Sequence, residues 1–317
     1  RKARGRADGV LERAAQRAGL SRFSHFLAID WSGAKGARQK GIALAIADIG
    51  RGPPRLIERE QPWSREGVLA FMRDNLPRDT LIGMDLGTSL PFADCGAFFP
   101  GWEGSPPDAK SLWALVDRLC ADDPHLEAGA ALRHPELSRY FRHGASKGVG
   151  GIEGDRFHTP DAASREGRFR LAEHAQRAMG CRPVSNFNLV GAAQVGKSSL
   201  TGMRVLHRLE GALPVWPVDP RPSEGSVLVE IYTALASLEA LPAHRGRKIR
   251  DYGLLDDALR AIESDPTGRS GPVDDHSSDA LLTAAWLRRV GDNAELWNPR
   301  RLTKDIARTE GWTFGAR

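Results

Sequence analysis

The first pattern along the chain is Phe26-Leu27-Ala28-Ile29-Asp30-Trp31, an apolar run broken by one carboxylate and closed by the Gly-containing turn Ser32–Gly36. Gly41–Ala47 and Arg55–Glu58 follow as two further strands. Their connections are too short for a crossover helix, so the three predict an antiparallel meander. Ser64 caps a helix whose apolar face is Val68, Leu69, Phe71, Met72 and Leu76. Thr80–Asp85 is continuously apolar up to its terminal acid, as expected of a strand buried on both faces.

From about 87 to 210 the pattern becomes irregular, with helices predicted at 108–121, 164–179 and 198–209. Strands return at Leu213–Val218 and Ser226–Tyr232, and helices near 251–264 and 276–290. Thr309–Gly315 reads as a short strand or an ordered terminal segment. The expected fold class is α/β, a mixed sheet of three antiparallel strands and then parallel ones, flanked by helices. Residues 1–24 read as a basic N-terminal helix or extension, with Val10, Leu11, Ala14, Ala15 and Leu20 opposite Arg13 and Arg17. Residues 25–317 read as one domain carrying a large, mostly helical insertion at about 87–210.

A hydrophobic fraction of 41% and a charged fraction of 27% are those of an ordinary globular chain, and no apolar run approaches the ~20 residues of a membrane span. Cys95, Cys120 and Cys181 are widely spaced, which fits neither a disulfide framework nor a CxxC zinc site. A reducing compartment, the cytoplasm, is the expected location. The net charge of +5 permits nucleic-acid binding without requiring it.

Three acids end or interrupt apolar strands: Asp30, Asp85 and Glu230. Each alone reads as a satisfied strand-end acid. Three on separate strands of one sheet would converge at an edge where ligands bind, and they would repel one another without a divalent cation. His276 and Asp279, spaced i, i+3 at a helix start, share one face, with Asp274 or Asp275 as the cap. Ala280, Ala284 and Ala285 let that helix approach the sheet closely.

His276-Ser277-Ser278-Asp279-Ala280-Leu281 resembles the H-x-x-D-A-L helix signature of RuvC-like resolvases, within the RNase H-like superfamily. The segments AIDWSG, IGMDLGTSLPF, VEIYTAL and DDHSSDALLTAAW, with the EGWTFG tail, resemble a broad family of predicted RNase H-fold nucleases. The resemblance covers roughly 25–95 and 212–315. It implies an RNase H-like sheet and a two-metal site for Mg²⁺ or Mn²⁺. Asp30 would bridge the ions, Asp85, Glu230 and Asp279 would complete their shells, and His276 would stand near the scissile phosphate of a nucleic acid.

Other motifs point elsewhere. Gly191–Ser198 matches the phosphate-binding pattern GxxxxGK[ST], which offers nucleotide binding or NTP hydrolysis as an alternative, with Lys197 and Ser198 on phosphate. The strand that such a loop needs is poor at Ser185–Val190, so the segment reads equally as a Gly-rich helix cap beside the acids, with Lys197 touching substrate phosphate. Gly144–Gly148 matches GxSxG but lies in a loop-like stretch. Basic and aromatic residues interleave at Arg139–His143, at Arg168–Arg170 and at His244–Arg250, either as nucleic-acid contacts or as solvated faces. A non-catalytic nucleic-acid-binding protein of the same fold remains a third reading.

Overall fold

A computed structural model describes residues 21–144, 151–158, 167–191, 194–244 and 247–317. The expected N-terminal helix and most of the GxSxG segment lie outside them.

The described strands are β1 (His25–Asp30), β2 (Ala43–Asp48), β3 (Arg55–Leu56), β4 (Thr80–Asp85), β5 (Arg142–His143), β6 (Ile152–Glu153), β7 (Val215–Trp216) and β8 (Val227–Ile231). The helices are α1 (Arg65–Asp74), α2 (Ala109–Leu119), α3 (Gly129–Arg133), α4 (Leu171–Ala178), α5 (Val195–Leu209), α6 (Thr233–Ala240), α7 (Tyr252–Ala261), α8 (Asp275–Val290), α9 (Ala294–Trp297) and α10 (Lys304–Thr309). The main sheet runs β3-β2-β1-β4-β8-β7. The β1–β2 and β2–β3 pairs are antiparallel, and β4, β8 and β7 continue from β1 in parallel. This is the predicted mixed α/β sheet; β5 and β6 form a separate ribbon.

Side-chain alternation divides the sheet into two faces. Leu27, Ile29, Leu44, Ile82, Met84 and Leu228 point into a core with α1, α2 and α5. Phe26, Ala28, Ala43, Ala45, Val229 and Ile231 point the other way, into a core with α6, α7 and α8. The inserted helices α2 and α5 therefore share a core with the sheet and form one of its covering layers. On the other side small residues meet small residues: Ala28, Ala43, Ala45 and Gly83 lie under Ala280 and Ala284, so α8 sits close to β1 and β2. A Cβ on Gly83 would come within 2.6 Å of Ile231 and 2.8 Å of Leu287.

Boundaries moved where backbone geometry overrode periodicity. The helix expected over 164–179 is α4, starting at Leu171. Gly167 has φ +74, outside the helical region, and Arg168 and Arg170 are drawn into buried ion pairs. The tail makes a parallel bridge, Glu230 with Thr313, while Trp312 and Phe314 are fully buried.

Candidate active site

Asp30 and Asp85 are register partners across β1 and β4. Partners in one sheet register point to the same face, and here that is the face of Phe26, Ala28 and Leu81, under α8. Both strands run parallel, so both acids sit at C-terminal strand ends, the edge where open α/β sheets bind ligands. Asp274 caps α8 by accepting from the backbone N–H of Ser277 at 2.9 Å, which fixes the first turn above the two acids. His276 Nδ1 lies 2.7 Å from Asp30 Oδ2. Asp279, three residues on, accepts from Lys248 Nζ at 2.6 Å. Asp275 pairs with Arg250 instead.

The electrostatics follow from this crowding. Burial raises Asp85 well above the ordinary carboxylate range, and the charges of Asp30 and Asp279 add to it, with Lys248 opposing. Burial also raises Asp30, against the hydrogen bond and charge of His276. It raises Asp279 too, against Lys248. His276 is raised in turn, chiefly by its hydrogen bond to Asp30. Three carboxylates thus hold negative charge with difficulty, a state that a nearby cation would relieve.

Glu230 does not join them. It pairs with Met84, not Asp85, so its side chain leaves the opposite face of the sheet. There Oε1 accepts from Arg170 at 2.6 Å and from the Thr313 hydroxyl. Oε2 accepts from Arg170 at 2.8 Å, from the Thr88 N–H at 2.7 Å and from the Thr88 hydroxyl at 2.8 Å. Five donors on two oxygens leave no free lone pair for an ion. Arg170 holds Glu230 below the ordinary range despite complete burial, and Arg170 also pairs with Glu173. The expected ligand is instead the anchor that ties β8 to the insertion and the tail.

The GKS segment belongs to the site, though not as a phosphate loop. Ser185–Val190 forms turns and one bridge from Asn188 to Arg142 rather than a strand of the main sheet, and residues 192–193 lie outside the description. The Gly- and Ser-rich face of α5 braces both acid-bearing strand ends. The Trp31 indole donates to Thr201 at 3.1 Å, and the Gly87 N–H donates to Ser199 at 3.1 Å. A Cβ on Gly33 would stand 2.4 Å from the Lys197 backbone, and one on Gly202 would stand 2.4 Å from Leu86. Arg65, fully buried, holds the carbonyls of Ser32 and Ala34 on the other side of the turn. The result is an open cleft of about 340 Å³ lined by Ser32, Asp85, Lys197, Ser198, Tyr232 and His276, with Glu230 at its inner wall. Burial lowers the Lys197 ammonium, and the charge of Lys35 lowers it further.

The basic clusters are largely spoken for. Arg168 is buried on Asp94 and backbone carbonyls and Arg170 on two glutamates, while Arg139 pairs at the surface with Glu136 and Asp155. In the third cluster Lys248 and Arg250 turn onto Asp279 and Asp275. Lys248 is the site residue that sequence reasoning missed; its only signal was membership of that cluster.

Among the described residues, no group of three or more His, Cys, Asp or Glu side chains stands close enough to hold a metal ion. One oxygen of Asp30 is on His276 and one of Asp279 on Lys248. The donor chemistry fits Mg²⁺ or Mn²⁺: carboxylate oxygens only, crowded and underneutralised, with room for water. Among the described residues, no helix is long and apolar enough to cross a membrane. No protein-family model, curated protein or solved structure matches the chain.

Proposed function

We propose that this chain is a divalent-metal-dependent nuclease of RNase H-like kind, hydrolysing a phosphodiester of nucleic acid. The observation that carries the reading is the in-register pair Asp30 and Asp85 on parallel strand ends, faced by Asp279 and His276 from the first turns of α8. The antiparallel meander followed by parallel strands in a mixed α/β sheet supports the reading.

In this reading Asp30, Asp85 and Asp279 hold Mg²⁺ or Mn²⁺. The bound ion supplies a water of lowered pKa and charge neutralisation at the phosphoryl oxygens. His276 has its Nδ1 held by Asp30, and its Nε2 is the nitrogen left to exchange a proton with a substrate oxygen or its water. Lys197 and Ser198, across the cleft, contact a substrate phosphate, with Lys35 extending the positive rim. Arg65 and α5 hold the turn and both strand ends in place.

Single-stranded, duplex, hybrid and branched DNA and RNA incubated with the protein and Mn²⁺ test the reading. At least one is expected to be cut, and Asp30→Asn to abolish cleavage. A full panel left intact by the wild type would sink the proposal. Binding of nucleic acid without metal-dependent cleavage would point to the non-catalytic reading instead. ATP-dependent thermal stabilisation lost in Lys197→Ala would revive nucleotide binding.

A further inference from the structure

Part of the cleft is not used by the acids. It is walled by Gln176, Val184, Val195 and Tyr232, and Lys197 and Ser198 line the same space. Tyr232 directly follows β8, and the hydroxyl of its neighbour Thr233 reaches Asp85 Oδ2 at 3.4 Å. This wall therefore adjoins the acid-bearing strand ends. Val184, Val195 and Tyr232 are half-buried, and Tyr232 packs against the α8-side core. Among the described residues the Tyr232 hydroxyl has no hydrogen-bond partner.

Gln176, on α4, is only 4% exposed yet lines the cleft. Its Nε2 donates to the Thr313 hydroxyl at 2.8 Å, and Thr313 donates in turn to Glu230 Oε1. That chain orients the amide, because Thr313 spends its one proton on the carboxylate and can only accept from Gln176. The other end, Gln176 Oε1, takes no donor among the described residues. A buried acceptor left bare toward a cleft is costly until water or a ligand donates to it. Lys197 donates to the neutral Gln194 side chain at 2.7 Å and has no acidic partner among the described residues, so its charge is open to an anion.

We propose that this part of the cleft is a nucleobase subsite, in which one unpaired base stacks on Tyr232 and donates an N–H to Gln176 Oε1 while its phosphate lies on Lys197 and Ser198. The inference rests on the nucleic-acid reading above and names the substrate class, a strand unpaired at the bound nucleotide. An aromatic face, apolar walls and an oriented acceptor are the means by which proteins hold a single-stranded or extruded base. Every base carries an N–H on its Watson–Crick edge, and Gln176 can meet it only when a complementary strand does not. The cleft, about 340 Å³, has the size of a small-molecule pocket. It accommodates one nucleotide, and not a base pair with both its backbones.

The test is a titration of the full chain, in EDTA, into a DNA strand carrying one 2-aminopurine, either free or annealed to its complement. Thermal melts confirm that Tyr232→Phe, Tyr232→Leu and Gln176→Met are folded; should the buried Gln176→Met fail, the two tyrosine variants decide. The free strand is expected to bind roughly 10-fold more tightly than the duplex, with its emission quenched by stacking. Tyr232→Leu and Gln176→Met should each weaken it by roughly 10-fold, and Tyr232→Phe should stay close to wild type. Equal affinity for strand and duplex, or undiminished binding by Tyr232→Leu or folded Gln176→Met, would overturn the subsite. So would a Tyr232→Phe as weak as Tyr232→Leu, or displacement of the strand by an equal concentration of ATP, which would make the occupant a free nucleotide. Tyrosine-dependent binding without cleavage in Mn²⁺ would leave the subsite standing and bring down the nuclease reading. No binding of either form, with or without Mn²⁺, would bring down both.

Discussion

Asp85 takes one long hydrogen bond among the described residues, from the Thr233 hydroxyl at 3.4 Å, whereas Asp30 leans on His276 and Asp279 on Lys248. An unfolded aspartate titrates near ~4. Burial and its acidic neighbours move Asp85 well above that in the folded protein. Between those two values the folded state binds more protons than the unfolded one, so stability falls as pH rises through the window. Asp85→Asn is accordingly expected to stabilise the metal-free protein at pH ~7 by about 0.5–2 kcal/mol, within the usual range for stabilising substitutions. The gain should shrink toward pH ~4, where the unfolded chain is itself partly protonated. Urea titrations at the two pH values measure it, and a pH-independent difference would contradict a strained carboxylate. Glu230→Ala should behave oppositely, losing about 3–5 kcal/mol by leaving Arg170 and Glu173 without their partner. Asp30, Asp85, His276 and Asp279 were legible because strand ends and an i, i+3 spacing are local patterns. The misplacement of Glu230 was not legible. Its face depends on whether it pairs with Met84 or with Asp85, and a one-residue shift in register reverses the answer. Its partner Arg170 lies 60 residues upstream in the insertion, where it read as part of a surface cluster.

Periodicity served well for the longer elements. The meander, β4, β8, α2, α7 and α8 fall where alternation and apolar spacing place them. Short elements carry only one or two helical turns of apolar spacing, and α6, α9 and α10 were accordingly not foreseen. The GKS segment shows how a motif misleads. Gly196, Ser199 and Gly202 serve close packing of α5 against neighbouring turns, and no strand of the main sheet precedes the motif among the described residues. Gly33→Ala tests that packing. A Cβ there overlaps the Lys197–Ser198 backbone, so the turn after β1 must move away from α5. Loss of Mn²⁺-dependent cleavage is expected, with a stability cost of about 1–3 kcal/mol. Unchanged activity and melting would show that the turn and α5 are not rigidly coupled. Gly83→Ala should cost a similar amount, since its Cβ meets Ile231 and Leu287 under α8.

Across the whole molecule several arginines are held on internal acids, Arg168 on Asp94, Arg170 on Glu173 and Glu230, and Arg204 on Asp117. Lys197 lines the cleft and Lys35 stands near enough for its charge to act on it, and under the proposed function these two are the cations that meet phosphate. Oligonucleotide binding in EDTA, followed by fluorescence anisotropy over a range of salt, should therefore be shallow in its salt dependence. The Lys35→Ala/Lys197→Ala double variant is expected to lower the slope of log K against log salt by roughly 1.5. An unchanged slope would place the nucleic acid elsewhere. The C-terminal segment has a consequence in time. Thr313 donates to Glu230, Phe314 N–H donates to the Glu230 carbonyl, and Trp312 and Phe314 fill the core beside β8. On the ribosome, β8 can pair with the Asp85 strand but lacks this extra bracing until residues 312–314 have left the exit tunnel. The acids on β1 and β4 are made early, and the segment that braces β8 beside them is made after all three strands.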